Sequence, residues 1–317
     1  MNINDITKLG LWPESKKTTT KKGIAELEDL GYNLFYIGKN ADLYTCPGND
    51  PKVLLVRSDR CSVFDIPLNL EIEGKGVSQT AISNDGAAFA REAGIRTAIL
   101  SENVDSSLAI APRCQMMELC KPLEAEIDSE VVQFEFIFRN YLTGSLFDAC
   151  QNGNDPYGLE LTNDLKQWHK FETPIFTPTT KGIKDEPLNS EKVREVFPEI
   201  ISSLEKLFKD FTVFAQDNGI IIVDTKFEAF VNASGEWVLG DEVLTPESSR
   251  FIAKKDFDNG DYISMDKQIL RDFGKKNNWK EQAKDLEAGQ KLDVDVPDSI
   301  KNTILDGYST ILNSLSK

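Results

Sequence analysis

A chain of 317 residues is about twice the length of a typical domain, so two domains are expected. Hydrophobic residues at 40% and charged residues at 28% are ordinary for a globular chain and exclude a disordered or fibrous one. The 36 Lys+Arg against 52 Asp+Glu leave a formal charge of −16, a field that repels nucleic-acid backbones and anionic membrane surfaces.

Residues 1–20 read as a polar lead-in without period, followed by a short helix over 23–30. Strands are predicted at Asn33–Ile37, Asp42–Cys46 and Val53–Arg57, the first two joined as a hairpin across Gly38–Asn40. Val77–Gly94 carries a helical pattern that stops at a glycine, and Ile95–Ser101 reads as the next strand. The aromatic alternation of Val131–Leu142 predicts a long strand leading into Thr143-Gly144-Ser145. From Gln151 to Ser190 the chain is rich in Pro, Gly, Asn and Thr, and a stretch so long without period reads as a functional loop. Ser190 is expected to cap one long helix, with Val193, Phe197, Ile200, Leu204, Leu207 and Phe211 on its buried face and Gly219 at its end. Ile220–Val231 and Glu236–Leu244 form a predicted hairpin across Asn232-Ala233-Ser234-Gly235, and helices close the chain, the last over Ser299–Leu315. Strands first and helices later give an α+β fold, with a small β-rich lobe over 1–115 and a larger mixed lobe over 116–317.

Five cysteines, Cys46, Cys61, Cys114, Cys120 and Cys150, are odd in number and lack CxxC spacing. They argue against a disulfide framework or a structural zinc and fit a reducing, cytoplasmic compartment. The opening MNINDITKLGLW has no secretion pattern and no run of 18 apolar residues occurs, so neither export nor a membrane partner is expected. The single histidine, His169, sits in Gln-Trp-His-Lys and reads as a surface residue. Any chemistry is then expected to run on carboxylates, lysines and arginines, with or without a metal.

The most informative segment is Val223-Asp224-Thr225-Lys226-Phe227-Glu228. A period of two puts Asp224, Lys226 and Glu228 on one face of a strand that the apolar run before it marks as central. Asp241 and Glu242 lie across the predicted hairpin. Carboxylates clustered around a lysine suit Mg²⁺ beside nucleotide phosphates; an internal salt-bridge network is the alternative. Gly38-Lys39 at the first hairpin tip can bring backbone and charge to a phosphate, although many such turns are only turns. Arg139 near Ser145, Arg250 after Ser248-Ser249 and Arg60 near Ser62 each set a guanidinium beside small hydroxyls, an arrangement for phosphate or carboxylate.

Six motifs together resemble one family. They are Asp59-Arg60-Cys61-Ser62-Val63-Phe64-Asp65 with Gly74-Lys75-Gly76; Arg139-Asn140-Tyr141-Leu142-Thr143-Gly144-Ser145; Phe176-Thr177-Pro178-Thr179-Thr180-Lys181; Asp224–Glu228; Asp241–Phe251; and Ser264-Met265-Asp266-Lys267-Gln268 with Arg271-Asp272. In this order they are similar to phosphoribosylaminoimidazole-succinocarboxamide synthase, the SAICAR synthetase family of purine biosynthesis. The resemblance implies a two-lobed fold with kinase-like and ATP-grasp-like features. It also implies an ATP- and Mg²⁺-dependent ligase that joins L-aspartate to the carboxylate of the aminoimidazole ribotide CAIR, giving SAICAR, ADP and phosphate. By motif, Gly38, Lys39 and Lys226 would meet ATP phosphates, and Glu228 and Asp241 would hold Mg²⁺. Arg139, Ser145 and Arg250 would bind the ribotide, with Arg60, Ser62 and Arg271 as further substrate positions. Asp224, Lys226, Lys181 and Asp185 would form the catalytic set. The sequence departs from the pattern at Ala41, where the family has a second basic residue, and at Lys184-Asp185-Glu186-Pro187, which stands for His-Asp-Glu-Asn. A kinase-like phosphotransferase and an inactive nucleotide-binding protein are the other classes these residues admit, and the oligomeric state is open.

Overall fold

The computed structural model describes residues 21–49, 51–182, 185–287 and 289–316. The described residues divide into two units: one holds those up to Asp85, Ala98–Leu119 and those from Ser264, the other Gly86–Thr97 and those between Cys120 and Ile263. The division expected at 115/116 follows chain order, whereas the contacts return the C-terminal helices to the first unit.

In the first unit α1 (Lys21–Asp29) precedes β1 (Asn33–Ile37), β2 (Ala41–Thr45), β3 (Lys52–Arg57), β4 (Arg60–Val63) and β5 (Ile66–Glu71). After α2 (Lys75–Glu92), β6 (Cys114–Glu118) pairs with β3, giving an antiparallel sheet of order β1-β2-β3-β6. Strands β4 and β5 make a hairpin of their own. The β1–β2 turn is tight: the Gly38 amide donates to the Ala41 carbonyl at 2.8 Å, and a Cβ on Gly38 would stand 2.7 Å from that oxygen. Asp59 caps α2 from outside, accepting from the Gly76 amide at 2.9 Å.

The strand expected over Ile95–Ser101 does not form. Thr97 bridges Leu239 in one unit and Ile99 bridges Met117 in the other, so successive residues share no common partner strand.

The second unit is built on an eight-stranded sheet. Its elements in order are β7 (Lys121–Pro122), β8 (Glu124–Ile127), β9 (Glu130–Tyr141), α3 (Gly144–Gln151), β10 (Lys170–Phe176), β11 (Thr179–Thr180), α4 (Ser190–Val196), α5 (Pro198–Asp217), β12 (Ile220–Val231), β13 (Trp237–Gly240), β14 (Ser249–Ala253) and α6 (Lys254–Asp258). The long strands β9 and β12 pair antiparallel at its centre, flanked by β10 and β13, with β14 also on β12. Period two sorts their side chains. Phe134, Phe136 and Phe138 of β9 and Phe227 of β12 join Phe176, Phe208 of α5 and Phe197, which lies between α4 and α5, in one aromatic layer. Glu135, Arg139, Asp224, Lys226 and Glu228 occupy the alternate positions of β9 and β12.

Four expectations change here. The loop over 151–190 contains β10 and β11, which the pattern hides because the β10–β9 register slips between Lys170 and Ile175. The single long helix is two: Pro198 lacks an amide hydrogen and holds Phe197 out of helical geometry, so α4 ends and α5 begins there. The cap is Asn189, whose side chain accepts from the Lys192 amide at 3.1 Å, while the Ser190 hydroxyl donates to the Phe176 carbonyl. Strand β13 also stops at Gly240, earlier than Leu244, because Asp241 takes a left-handed backbone (φ 56°).

Helices α7 (Gln268–Lys276), α8 (Trp279–Gln282) and α9 (Asp298–Leu315) complete the first unit, where Leu270, Trp279, Ile304 and Tyr308 pack with Cys61, Val63, Leu68 and Leu70. No helix among the described residues is long and apolar enough to cross a membrane.

In α2, a Cβ on Gly86 would come 2.4 Å from the Val243 carbonyl oxygen, in the turn that follows Asp241. Gly→Ala inside a helix ordinarily stabilises by about 0.5–1 kcal/mol. At position 86 the sign should reverse, with Gly86→Ala destabilising by more than about 1 kcal/mol in urea unfolding because backbone must move.

Candidate active site

Asp224 faces Arg139 across β9 and Arg250 across β14, its direct partners on both neighbouring strands. Its carboxylate accepts from Arg139 Nη1 at 2.8 Å and Arg250 Nε at 2.9 Å, and also from Arg250 Nη2. A register shift between Ile222 and Asp224 in the β12–β14 pairing lies beside this contact. Arg139 is held further by Thr177 Oγ1, which accepts from its Nε at 2.9 Å, and by the buried Tyr157, whose phenol it also hydrogen-bonds. Burial pushes that phenol's pKa up. The Arg250 guanidinium lies against Gly144 (φ 60°), where a Cβ would stand 3.0 Å from its Nη1. Ser145 is exposed in the first turn of α3.

One step along β12 a second charged group begins. The Lys226 ammonium donates to Glu135 Oε1 at 2.6 Å and to Glu228 Oε1 at 3.1 Å, and the Lys181 ammonium takes the other oxygen of Glu228. Thr179 donates to Glu135 Oε2 at 2.9 Å, directly opposite it in the β11–β9 pairing. Burial works against the charge on Glu228, and the two lysines overcome it, holding the carboxyl down at about 2. Asp241, one residue past the Gly240 that pairs with Glu228, feels the same two lysines, but they are outweighed. Burial and then the charge of Glu228 push its carboxyl up to about 7. Glu242 accepts from Thr245 Oγ1 at 3.1 Å. Among the described residues no three His, Cys, Asp or Glu side chains converge as a metal cluster. The salt-bridge network weighed above as the alternative is present, and Asp241 stands beside it.

In the first unit Arg60 is buried and forked onto Asp42, with Nη2 to Oδ1 at 2.5 Å and Nη1 to Oδ2 at 3.2 Å. Nη2 also donates to the Gly38 carbonyl at 2.9 Å, tying β4 to the hairpin turn. Lys39 is exposed and pairs with Asp65 at 2.5 Å. Ser62 is buried two residues along β4 from Arg60. Arg271 lies half-buried on α7, and its guanidinium makes no hydrogen bond or ion pair among the described residues. Asp266, in the same motif, is buried and accepts from the Gln268 amide at 2.8 Å, which starts α7. Asp185 is exposed; Lys184 of the departing segment lies outside the described residues.

The arrangement brings Arg139, Arg250 and Asp224 together, and Lys181, Lys226, Glu228 and Asp241 together. Sequence reasoning missed Glu135, Tyr157, Thr177 and Thr179. Glu135 was findable, since the alternation that buries Phe134, Phe136 and Phe138 puts it on the same face as Arg139. Tyr157 had no local signal, because a loop brings it from outside the sheet.

The model of the family described as SAICAR synthetase matches residues 34–286. A phosphoribosylaminoimidazole-succinocarboxamide synthase of Desulfotalea psychrophila is 34% identical over 264 residues, covering 78% of this chain and 85% of that protein. The corresponding protein of Histophilus somni is 33% identical over 304 residues, covering 92% of this chain and all of the relative. Among solved structures, SAICAR synthase from Saccharomyces cerevisiae complexed with SAICAR superposes with a TM-score of 0.70 at 25% identity, over 95% of this chain and 97% of that one. A type-2 SAICAR synthetase in complex with ADP shares the fold, with a TM-score of 0.62 at 20% identity over 89% of this chain and 97% of that one. With four of the six motifs on or beside the sheet of the second unit, the other two in the first, and the family match spanning residues 34–286, the chain belongs to the SAICAR synthetase family.

Proposed function

We propose that this chain is a cytoplasmic ligase of purine biosynthesis that uses ATP to join L-aspartate to the carboxylate of CAIR, and that the charged face of β9 and β12 carries the reaction. The carrying observation is the pair of guanidiniums, Arg139 and Arg250, fixed on one strand residue beside the exposed Ser145. Two cations a strand apart with a hydroxyl at a helix start suit a phosphate monoester dianion, the 5′-phosphate of a ribotide. Asp224 is then a positioning residue, its acceptor oxygens occupied by the two arginines.

The chemistry asks mainly for alignment and charge neutralisation. The CAIR carboxylate oxygen attacks the γ-phosphorus and ADP leaves. The aspartate amine then attacks the acyl carbon, phosphate leaves, and the nitrogen gives up a proton. Lys226, steadied by Glu135 and Glu228, and Lys181 supply positive charge to the phosphoryl group in flight. Asp185 is the remaining acid of the set. In the first unit the Gly38 turn with Lys39 is the element for ATP phosphates, Arg60 holds that turn through Asp42 and the Gly38 carbonyl, and Ser62 and Arg271 are the substrate positions. Glu228 and Asp241 fit a divalent cation: they are oxygen donors brought together because Glu228 pairs with Gly240, and burial and then the Glu228 charge, which a cation would offset, disfavour the ionised Asp241. Bound Mg²⁺ would neutralise phosphate charge there.

ADP release should require both CAIR and L-aspartate for full rate, and equal turnover without aspartate would point to a different phosphoryl acceptor. In Arg250→Ala the KM for CAIR should rise about 10- to 100-fold while that for ATP moves less than about threefold, since a charge-assisted hydrogen bond is worth ~1.5–3 kcal/mol. An unmoved CAIR KM would return Arg250 to a structural role.

In metal-free protein the two carboxylates should answer in opposite directions. The Asp241 pKa, about 7 when folded against an ordinary 3.8, makes its ionised form a cost that grows as pH rises from about 4 through 7. Asp241→Asn should therefore stabilise by about 1–2 kcal/mol at pH 8 and by nothing near pH 3.5. Glu228, about 2 against an ordinary 4.5, contributes stability above pH 4.5 that disappears as pH falls through 2. Glu228→Gln should destabilise by about 1–3 kcal/mol at pH 8. Urea unfolding in EDTA measures both, and equal signs would show that the two acids do not repel each other.

A further inference from the structure

The two oxygens of Glu228 are both committed to lysines: Oε1 accepts from Lys226, and the other oxygen from Lys181. If Glu228 and Asp241 are the metal pair, as the proposed function has it, a divalent ion needs one of these oxygens, so one ammonium must leave. The surroundings decide which. Lys226 stands in the middle of the central strand β12 and bonds a second carboxylate, Glu135, at 2.6 Å, so its departure would strand two buried acids. Lys181 follows the two-residue strand β11, its side chain is 40% exposed, and Glu228 is its ion-pair partner. The Phe230 ring lies 5.9 Å away, and the carboxylate of Asp241 is close enough to feel the ammonium's charge. Withdrawing it into water breaks one carboxylate bond, leaves Glu228 still bonded to Lys226, and removes a charge from Asp241 that the incoming cation replaces.

We propose that Lys181 is an exchangeable counter-ion. Its ammonium holds Glu228 in place while the site is empty, and a divalent cation displaces it, freeing the amine for an incoming phosphate. Two cations on one carboxylate oxygen repel at close range in a poorly screened site, so binding of one excludes the other. Lys226, bonded to Oε1 and to Glu135, stays in both states and fixes the carboxylate plane. The lysine of the Thr-Lys motif thereby competes with the metal before any substrate arrives.

The test uses the full-length protein with Mn²⁺ as the probe and no nucleotide, following free Mn²⁺ by electron paramagnetic resonance. Lys181→Met should bind Mn²⁺ about tenfold more tightly than the unmodified protein, and Lys181→Arg should restore the weaker affinity. Acylation of Lys181 by an amine-directed reagent, quantified by mass spectrometry, should rise severalfold when Mn²⁺ saturates the unmodified protein. Lys192→Met, whose ammonium pairs with Asp128 at 2.7 Å in the same unit, should leave Mn²⁺ affinity unchanged. Equal Mn²⁺ affinity with and without the Lys181 amine would overturn the proposal, as would unchanged acylation with Mn²⁺ bound, or a matching gain in Lys192→Met. Failure of both the unmodified protein and Lys181→Met to bind Mn²⁺ would instead remove the metal pair itself, and the exchange with it.

Discussion

The second unit depends on one constraint, the two-residue repeat of two long paired strands. Because β9 and β12 alternate in phase, phenylalanines gather on one side of the sheet and charges on the other. The aromatic side is closed by Phe197 and Phe208 of the α4–α5 segment. A shift of pairing by one residue would exchange the sides, turning Arg139 and Glu135 into the aromatic layer and the phenylalanines out of it. The apolar contacts that stabilise the sheet therefore also specify where the chemistry can be, and no separate device is needed to aim the site residues.

A sheet face carrying five charged residues on two adjacent strands is costly unless each charge has a partner of the opposite sign. Register provides those partners. Asp224 has an arginine directly opposite on either side. Lys226 reaches Glu135 diagonally across the pair and Glu228 along its own strand. The exception is Asp241, where a left-handed turn carries the chain out of the ladder and leaves a carboxylate beside another carboxylate. Under the proposed function, this concentrated repulsion is what a bound cation would relieve. The same cation would gain little from Asp224, whose oxygens are already satisfied.

Much of this was legible in the sequence, for reasons that differ by residue. Asp224, Lys226 and Glu228 were readable as one face because strand period is local and the preceding Ile220–Val223 run marked the strand as buried. Arg250 was harder, since its neighbour Asp224 is 26 residues away and only the β14 register joins them. The strands β10 and β11 were invisible because their pairing is broken by a slip and by Pro178, so no alternation survives for a pattern to detect. The break between α4 and α5 was signalled by Pro198, but apolar spacing runs through Phe197 unbroken and masked it. Periodicity reports burial rather than hydrogen-bond continuity, so it joins two helices that share a buried face.

The first unit shows why a motif residue and its function should be separated. The hairpin has alanine at position 41, yet a guanidinium still reaches the turn, because Arg60 of β4 bonds the Gly38 carbonyl. That guanidinium is committed to Asp42 on both of its terminal nitrogens and is almost fully buried. Such a pair fixes the shape of the turn and presents little net charge to a ligand, since a desolvated bidentate pair is strong only toward its own partner. Lys39 differs, being exposed and held by a solvent-facing carboxylate, Asp65, in a contact that water and salt weaken. The turn therefore divides the work: Arg60 and Asp42 set the backbone path, and Lys39 keeps the charge that can be redirected to an anion.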